Sequence, residues 1–122
     1  MNEEYAEKVN TMTDEELNAK AAHLCGWTLI GSVGEDKRKE LERRLLPDYA
    51  NDIAESWKLI EVNPDWRWSI YELDNGDWCA SPMKVIGVRD EYNLWDHVSE
   101  ATGETAQRAI TKAFILAMEA ND

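Results

Sequence analysis

Long apolar runs are missing from this 122-residue chain; the longest is Phe114-Ile115-Leu116-Ala117-Met118. That is far short of the roughly 20 residues a membrane-spanning helix needs. The opening Met1-Asn2-Glu3-Glu4 lacks the apolar stretch of a secretory signal, so a cytoplasmic protein is expected. Cysteine is scarce. Cys25 and Cys79 stand far apart, which points to two buried thiols in a reducing compartment rather than a disulfide. Positive charge is also short: 13 Lys and Arg against 25 Asp and Glu, a net charge of −12. Direct nucleic-acid binding is therefore disfavoured, because Lys and Arg neutralising phosphates supply most of that affinity. The hydrolytic and nucleotide motifs are absent as well: no Gly-x-Ser-x-Gly, no P-loop and no dinucleotide-binding glycine fingerprint. Gly31-Ser32-Val33-Gly34 has no Lys-Ser or Lys-Thr after it and reads as a flexible connector.

What remains is ample for one folded domain. Hydrophobic residues make up 43% and charged residues 31%, and a chain of this size needs no metal or disulfide to hold a core. The charge is uneven. Segment 37–44 carries five bases and two acids, or +3, which leaves −15 on the rest. A basic surface, or one that normally receives nucleic acid, is attracted to such a body. Solubility is the plainer use of the same charge.

The pattern along the chain predicts an α+β fold in the order α-α-α-β-β-β-α. It comprises a three-stranded antiparallel sheet with about four helices. Residues 1–12 read as a flexible or weakly helical arm ahead of one compact domain over 13–122. Thr13-Asp14-Glu15-Glu16 is a capping box. The helix it opens carries Leu17, Ala21 and Leu24 on one stripe, and Gly26 sits where a left-handed cap is wanted. Trp27 to Ile30 suggests an extended segment. Residues 35–46 form a charged helix with Leu41, Leu45 and Leu46 on one side, ended by Pro47. A third helix starts near Asn51 as N-cap, with Asp52 at its positive end, and places Ile53, Trp57 and Ile60 toward the core. Asn63-Pro64 closes it.

Trp66, Trp68 and Ile70 then alternate with Arg67, Ser69 and Tyr71, the period of a half-buried strand. Asp74-Asn75-Gly76 is a hairpin turn, and Trp78 and Ala80 begin the return strand. Pro82 requires a bulge, an edge or a break. Residues 94–100 alternate as a third strand. Caps among Thr102 to Thr105 precede a last helix with Ala106, Ile110, Ala113 and Ala117 on one face.

Candidate chemistry is thin. His23, Cys25, Cys79 and His97 are zinc-ligand types without zinc spacing, and neighbours two apart on a helix diverge. Glu72, Asp74 and Asp77 cluster at the hairpin, but the calcium-loop glycine and terminal glutamate are missing. Solvated turn residues are the plain reading. No cofactor is implied. Six tryptophans are the unusual feature. Trp57 and Trp78 fit a core. A strand with Trp66 and Trp68 on one face and Tyr71 on the other is either covered twice or keeps one face for a partner.

Three stretches resemble the phage ABA sandwich domain. They are Leu17-Asn18-Ala19-Lys20-Ala21-Ala22 leading to Gly26-Trp27, Asp48 to Trp57, and Glu104 to Ile110 ahead of an Ala-rich helix. Trp78-Cys79-Ala80 after Asn75-Gly76 is also similar. The resemblance spans roughly residues 13–120 and implies a helix–sheet–helix sandwich and a phage or prophage origin. It carries no catalytic residues onto this chain, and helix 35–46 is an addition to the pattern.

Binding is thus expected rather than catalysis. The first expectation is a non-enzymatic anti-defence inhibitor, anti-CRISPR-like. It would present Glu72, Asp74, Asp77, Asp90, Glu91 and Trp95 to a basic, nucleic-acid-binding host protein. The alternative is a nucleotide-signal sponge, a homo-oligomer such as a homodimer, using Lys37, Arg38, Arg67, Trp66, Trp68 and Tyr71.

Overall fold

The computed structural model describes residues 3–27, 34–89 and 92–120. Helix α1 spans Glu3–Asn10, α2 Asp14–Leu24, α3 Glu35–Leu45, α4 Ile53–Ile60 and α5 Ala106–Ala120. Strands are β1 Arg67–Glu72, β2 Trp78–Arg89, β3 Tyr92–His97 and β4 Ala101–Gly103. The α+β class is as expected. Among the described residues the count is five helices and four strands rather than about four and three.

Local signals explain most of these boundaries. The Thr13 hydroxyl accepts the Glu16 amide at 3.2 Å while Glu16 reaches back to the Thr13 amide. At the other end of α2, Gly26 has φ +95. The Trp27 amide returns to Ala22 O and the Gly26 amide to His23 O, the paired bonds of a Schellman cap. The N-cap of α4 is Asp52, which accepts the Ala54 amide at 2.9 Å. Asn51, expected in that role, instead donates to Asp14 and Asp48. Gly76, at φ +91, closes the β1–β2 hairpin, where the Leu73 amide meets Asp77 O at 2.7 Å.

The sheet is built around β2, which pairs antiparallel with β1 on one edge and with β3 and β4 on the other. Segment 94–100, expected as one strand, is divided: β3 ends at His97 and β4 begins at Ala101. Pro82 lies at that break. Its carbonyl accepts the Val98 amide, so its missing N–H also faces the β3–β4 gap, where no ladder bond is lost.

Helix α5 is the hub. Residues 109–117 are buried all round, which the expected single apolar stripe understates. On one side Ser99 Oγ donates to Ala113 O, and Lys112 Nζ to Thr102 O. Gly103 approaches so closely that a Cβ there would lie 2.8 Å from the Ala109 nitrogen. On the opposite side Thr111 and Gln107 reach Tyr49 O and Asn51 O. Arg108 pairs with Asp14, and Asn18 bonds Asp48 and the Ala50 amide. These bonds clamp the α3–α4 connection between α2 and α5. Leu17, Leu59, Ala80, Ile110, Phe114 and Ile115 fill the core.

Two expectations are corrected here. Ile53 and Trp57 do not face the core: they are 48% and 52% exposed, and α4 buries Ser56 and Leu59 instead. The stripe was read one third of a turn off, because i, i+4 apolar pairs also occur on exposed faces. Leu45 of α3 is exposed, and α3 has no buried residue. Within residues 1–12, expected as a flexible or weakly helical arm, α1 forms two turns and buries Val9 completely.

Candidate functional site

Residues that pair directly across an antiparallel sheet share a face, and successive residues alternate. The register therefore sorts the sheet without ambiguity. Trp68, Ile70, Trp78, Ala80, Pro82, Ala101 and Gly103 face α5. Arg67, Ser69 and Tyr71, Met83 and Val85, Trp95 and His97, and Thr102 share the opposite face with Cys79 and Ser81. Among the described residues α5 is the only helix with more than marginal contact to the sheet. On the opposite face Tyr71 is 46%, Val85 43% and Trp95 40% exposed. The expected helix–sheet–helix sandwich is therefore a stack of helices, α5 and sheet, with the second sheet face open. The reason is topological: of the four helices that precede β1, α1, α2 and α4 pack on α5, and none has more than marginal contact with the sheet.

Along this face the side chains form rows. Val85 pairs with Trp95; Arg67, Met83 and His97 follow; Ser69 and Ser81 come next; Tyr71, Cys79 and Thr102 close the series. A bulge between Val85 and Gly87 shifts the register and still leaves Val88 exposed. Arg67 has one hydrogen bond, to Pro64 O at 3.5 Å, and no carboxylate partner among the described residues.

Two polar groupings on this face look reactive and are not. Ser81 Oγ lies 2.5 Å from His97 Nδ1 and 2.8 Å from Ser99 O. A carbonyl only accepts, so the hydroxyl proton goes to Ser99 and Nδ1 donates to Ser81. That is the reverse of a histidine activating a serine nucleophile. It leaves Nε2 of His97 facing outward. Cys79 donates to Glu100 Oε1 at 3.4 Å and is bonded by the Tyr71 hydroxyl. Burial, with Glu100 beside it, pushes the thiol pKa up, which makes it a poor nucleophile. The Cys79 bond also raises Tyr71.

The expected site residues are scattered. Glu72, Asp74 and Asp77 gather at the β1–β2 turn, with Asp77 held by Asn75. Trp95 pairs with Val85, seven residues along β2 from Trp78 and so about 23 Å away. Asp90 and Glu91 lie outside the described residues, as do 28–33, which hold most of the Trp27–Ile30 segment and the glycine connector. Of the alternative set, Arg67 and Tyr71 share the open face. Trp66 is buried and Trp68 faces α5, so neither offers a stacking surface. Lys37 and Arg38 sit on α3, ion-paired to Glu40 and Glu42 and away from the sheet. Met83, Val85 and His97 were missed as face residues. The 79-81-83-85 alternation was present, but the proline and the bulge obscured it.

Elsewhere, Tyr49 is buried against Cys25 and Trp27. Burial first, then Cys25 and Glu55, pushes its hydroxyl up to about 12. His23 is exposed, and among the described residues no group of His, Cys, Asp and Glu could hold a metal ion. A polar cleft of about 640 Å³ separates α2 from α3, bridged by the Arg43–Glu15 pair at 3.0 Å. No helix among the described residues is long and apolar enough to cross a membrane. Comparison with known protein families, curated proteins and solved structures gives no match to this chain.

Proposed function

We propose that this protein is non-enzymatic and binds a protein partner through the open face of its sheet, as an anti-defence inhibitor of the anti-CRISPR kind. The observation that carries the reading is the make-up of that face. Tyr71, Met83 and Trp95 are residue types enriched at protein interfaces, and the strand positions there hold no Asp, Glu or Lys. Around it lies a body of net −15 outside segment 37–44. Such a body speeds encounter with a basic, nucleic-acid-binding host protein, and the apolar face then makes the contact. Glu72, Asp74 and Asp77 border the same sheet and supply a local acidic rim. A second copy is a poorer occupant, because it brings another −12 and a second Arg67 to the same patch. The phage setting, and with it the cytoplasm of an infected bacterium, rests on the resemblance to the phage ABA sandwich domain.

The test is an infection or interference assay in a defended host, paired with capture of the bound protein. Tyr71→Ala with Trp95→Ala should abolish both, and Glu72→Lys, Asp74→Lys and Asp77→Lys together should slow capture at low salt. Leu45→Ala, on α3, should change neither. Undiminished inhibition by the face variants would refute the assignment.

A further inference from the structure

The open face carries one feature that a basic protein partner does not use. We propose that Arg67, His97 and Trp95 form a site for a nucleoside monophosphate, with the phosphate between Arg67 and His97 and the base on Trp95. Arg67 and His97 flank Met83 in a single row across three strands. Strands lie about 4.8 Å apart, so their Cα atoms are roughly 10 Å apart. A guanidinium and an imidazole reaching inward from that separation can both touch one phosphate above Met83. Trp95 is two residues from His97 on the same face, about 7 Å along the strand, which is the reach from a 5′-phosphate to its base. An exposed indole beside Val85 offers a stacking surface that tolerates any base.

Three details favour an anionic occupant here. Arg67 lacks a carboxylate partner among the described residues, so its guanidinium is free to make a bidentate contact. His97 is fixed by Ser81 with Nε2 outward. Beside the row, Asn63, Asp65, Trp66, Lys84 and Val85 line a hollow of about 550 Å³. There the Asp65 carboxylate can accept from ribose hydroxyls, while Lys84, between Met83 and Val85, points to the other face of β2. Because Nδ1 already donates to Ser81, Nε2 can donate to phosphate only when the ring is protonated. Arg67 is the charged strand residue on that face and Ser81 and Met83 of β2 are neutral; Asp96 neighbours His97 but alternates to the other face, Asp65 lies beside the row, and Glu100 is engaged by Cys79 in a different row. A single free nucleotide fits better than a nucleic-acid strand, since one isolated arginine cannot offset −12 against a polyanion.

The inference is independent of the protein-partner reading, and the two make opposite demands on Arg67. Removing its charge favours a basic partner and disfavours a phosphate. The experiment titrates AMP, adenosine, inorganic phosphate and the hexanucleotide (dA)6 into the whole protein in 50 mM salt at pH 6. Binding is read by amide chemical shifts. AMP should saturate, with shifts centred on Arg67, Met83, Trp95 and His97. Adenosine and phosphate should each bind at least tenfold more weakly. Arg67→Gln and Trp95→Leu should each weaken AMP at least tenfold. Wild-type spectra elsewhere in each variant guard against misfolding. The inference is overturned by no saturation at 10 mM AMP, by binding indifferent to Arg67→Gln and Trp95→Leu, or by (dA)6 binding tenfold more tightly than AMP.

Discussion

Both functional readings require that one sheet face be open, and a single chemical exchange tests that. Threonine is nearly isosteric with valine and equally suited to a strand, so Val→Thr replaces a methyl by a hydroxyl with little change of shape. Val85 and Val88 are 43% and 69% exposed, whereas Val9 in α1 is 0% exposed. On the open face the new hydroxyl stays hydrated, so Val85→Thr and Val88→Thr should each fall within about 0.5 kcal/mol of the parent. At Val9 the hydroxyl is buried among apolar atoms and should cost about 1–3 kcal/mol. For a domain of this size that is roughly 3–6 °C in Tm per kcal/mol. Urea titration with a shared m-value gives the differences directly. A Val85→Thr cost as large as that of Val9→Thr would show the face to be covered and remove the basis of both readings. A neutral Val9→Thr would instead show that α1 is not docked.

Other consequences follow from particular contacts. Gly103→Ala drives a Cβ to 2.8 Å from the Ala109 nitrogen and 2.9 Å from the Arg108 Cβ; prying β4 from α5 should cost about 1–3 kcal/mol. Gly34→Ala, with nothing within 4 Å, should be near neutral in the same thermal melt. Lys112 is 7% exposed and meets a lone carbonyl oxygen, so Lys112→Met should hold or raise stability by about 1 kcal/mol, and a loss of that size in urea would contradict the account. Tyr49 has a folded pKa of about 12 against 10 unfolded. The folded state therefore holds more protons between these values, and stability present below pH 10 is lost as pH rises toward 12. The full effect is at most about 2.7 kcal/mol, from 1.36 kcal/mol per unit. Tyr5, Cys25 and Cys79, also raised, add the same sign. Lys112, lowered by burial, opposes it below its ordinary value. Tyr49→Phe should flatten the fall of the urea midpoint between pH 9 and 11.5; an unchanged slope would assign the fall to other groups.

Sequence alone determined what depends on neighbours in the chain. The capping box at Thr13, the left-handed cap at Gly26, the hairpin at Gly76 and the alternation of β1 are legible because each is closed by bonds within a few residues. The acidity of the body is composition and needed no fold. Tertiary structure decided which apolar side chains are covered. Trp57 and Trp66 look alike in sequence, yet one is exposed and the other buried, because burial depends on what α5 and the sheet bring opposite. The meeting of Arg67, Met83 and His97 in one row was equally hidden. It requires pairing β1, β2 and β3 across thirty residues, through a proline break and a bulge that no local pattern announces. Charge could suggest that this protein binds; only the register could say which face is free to do so.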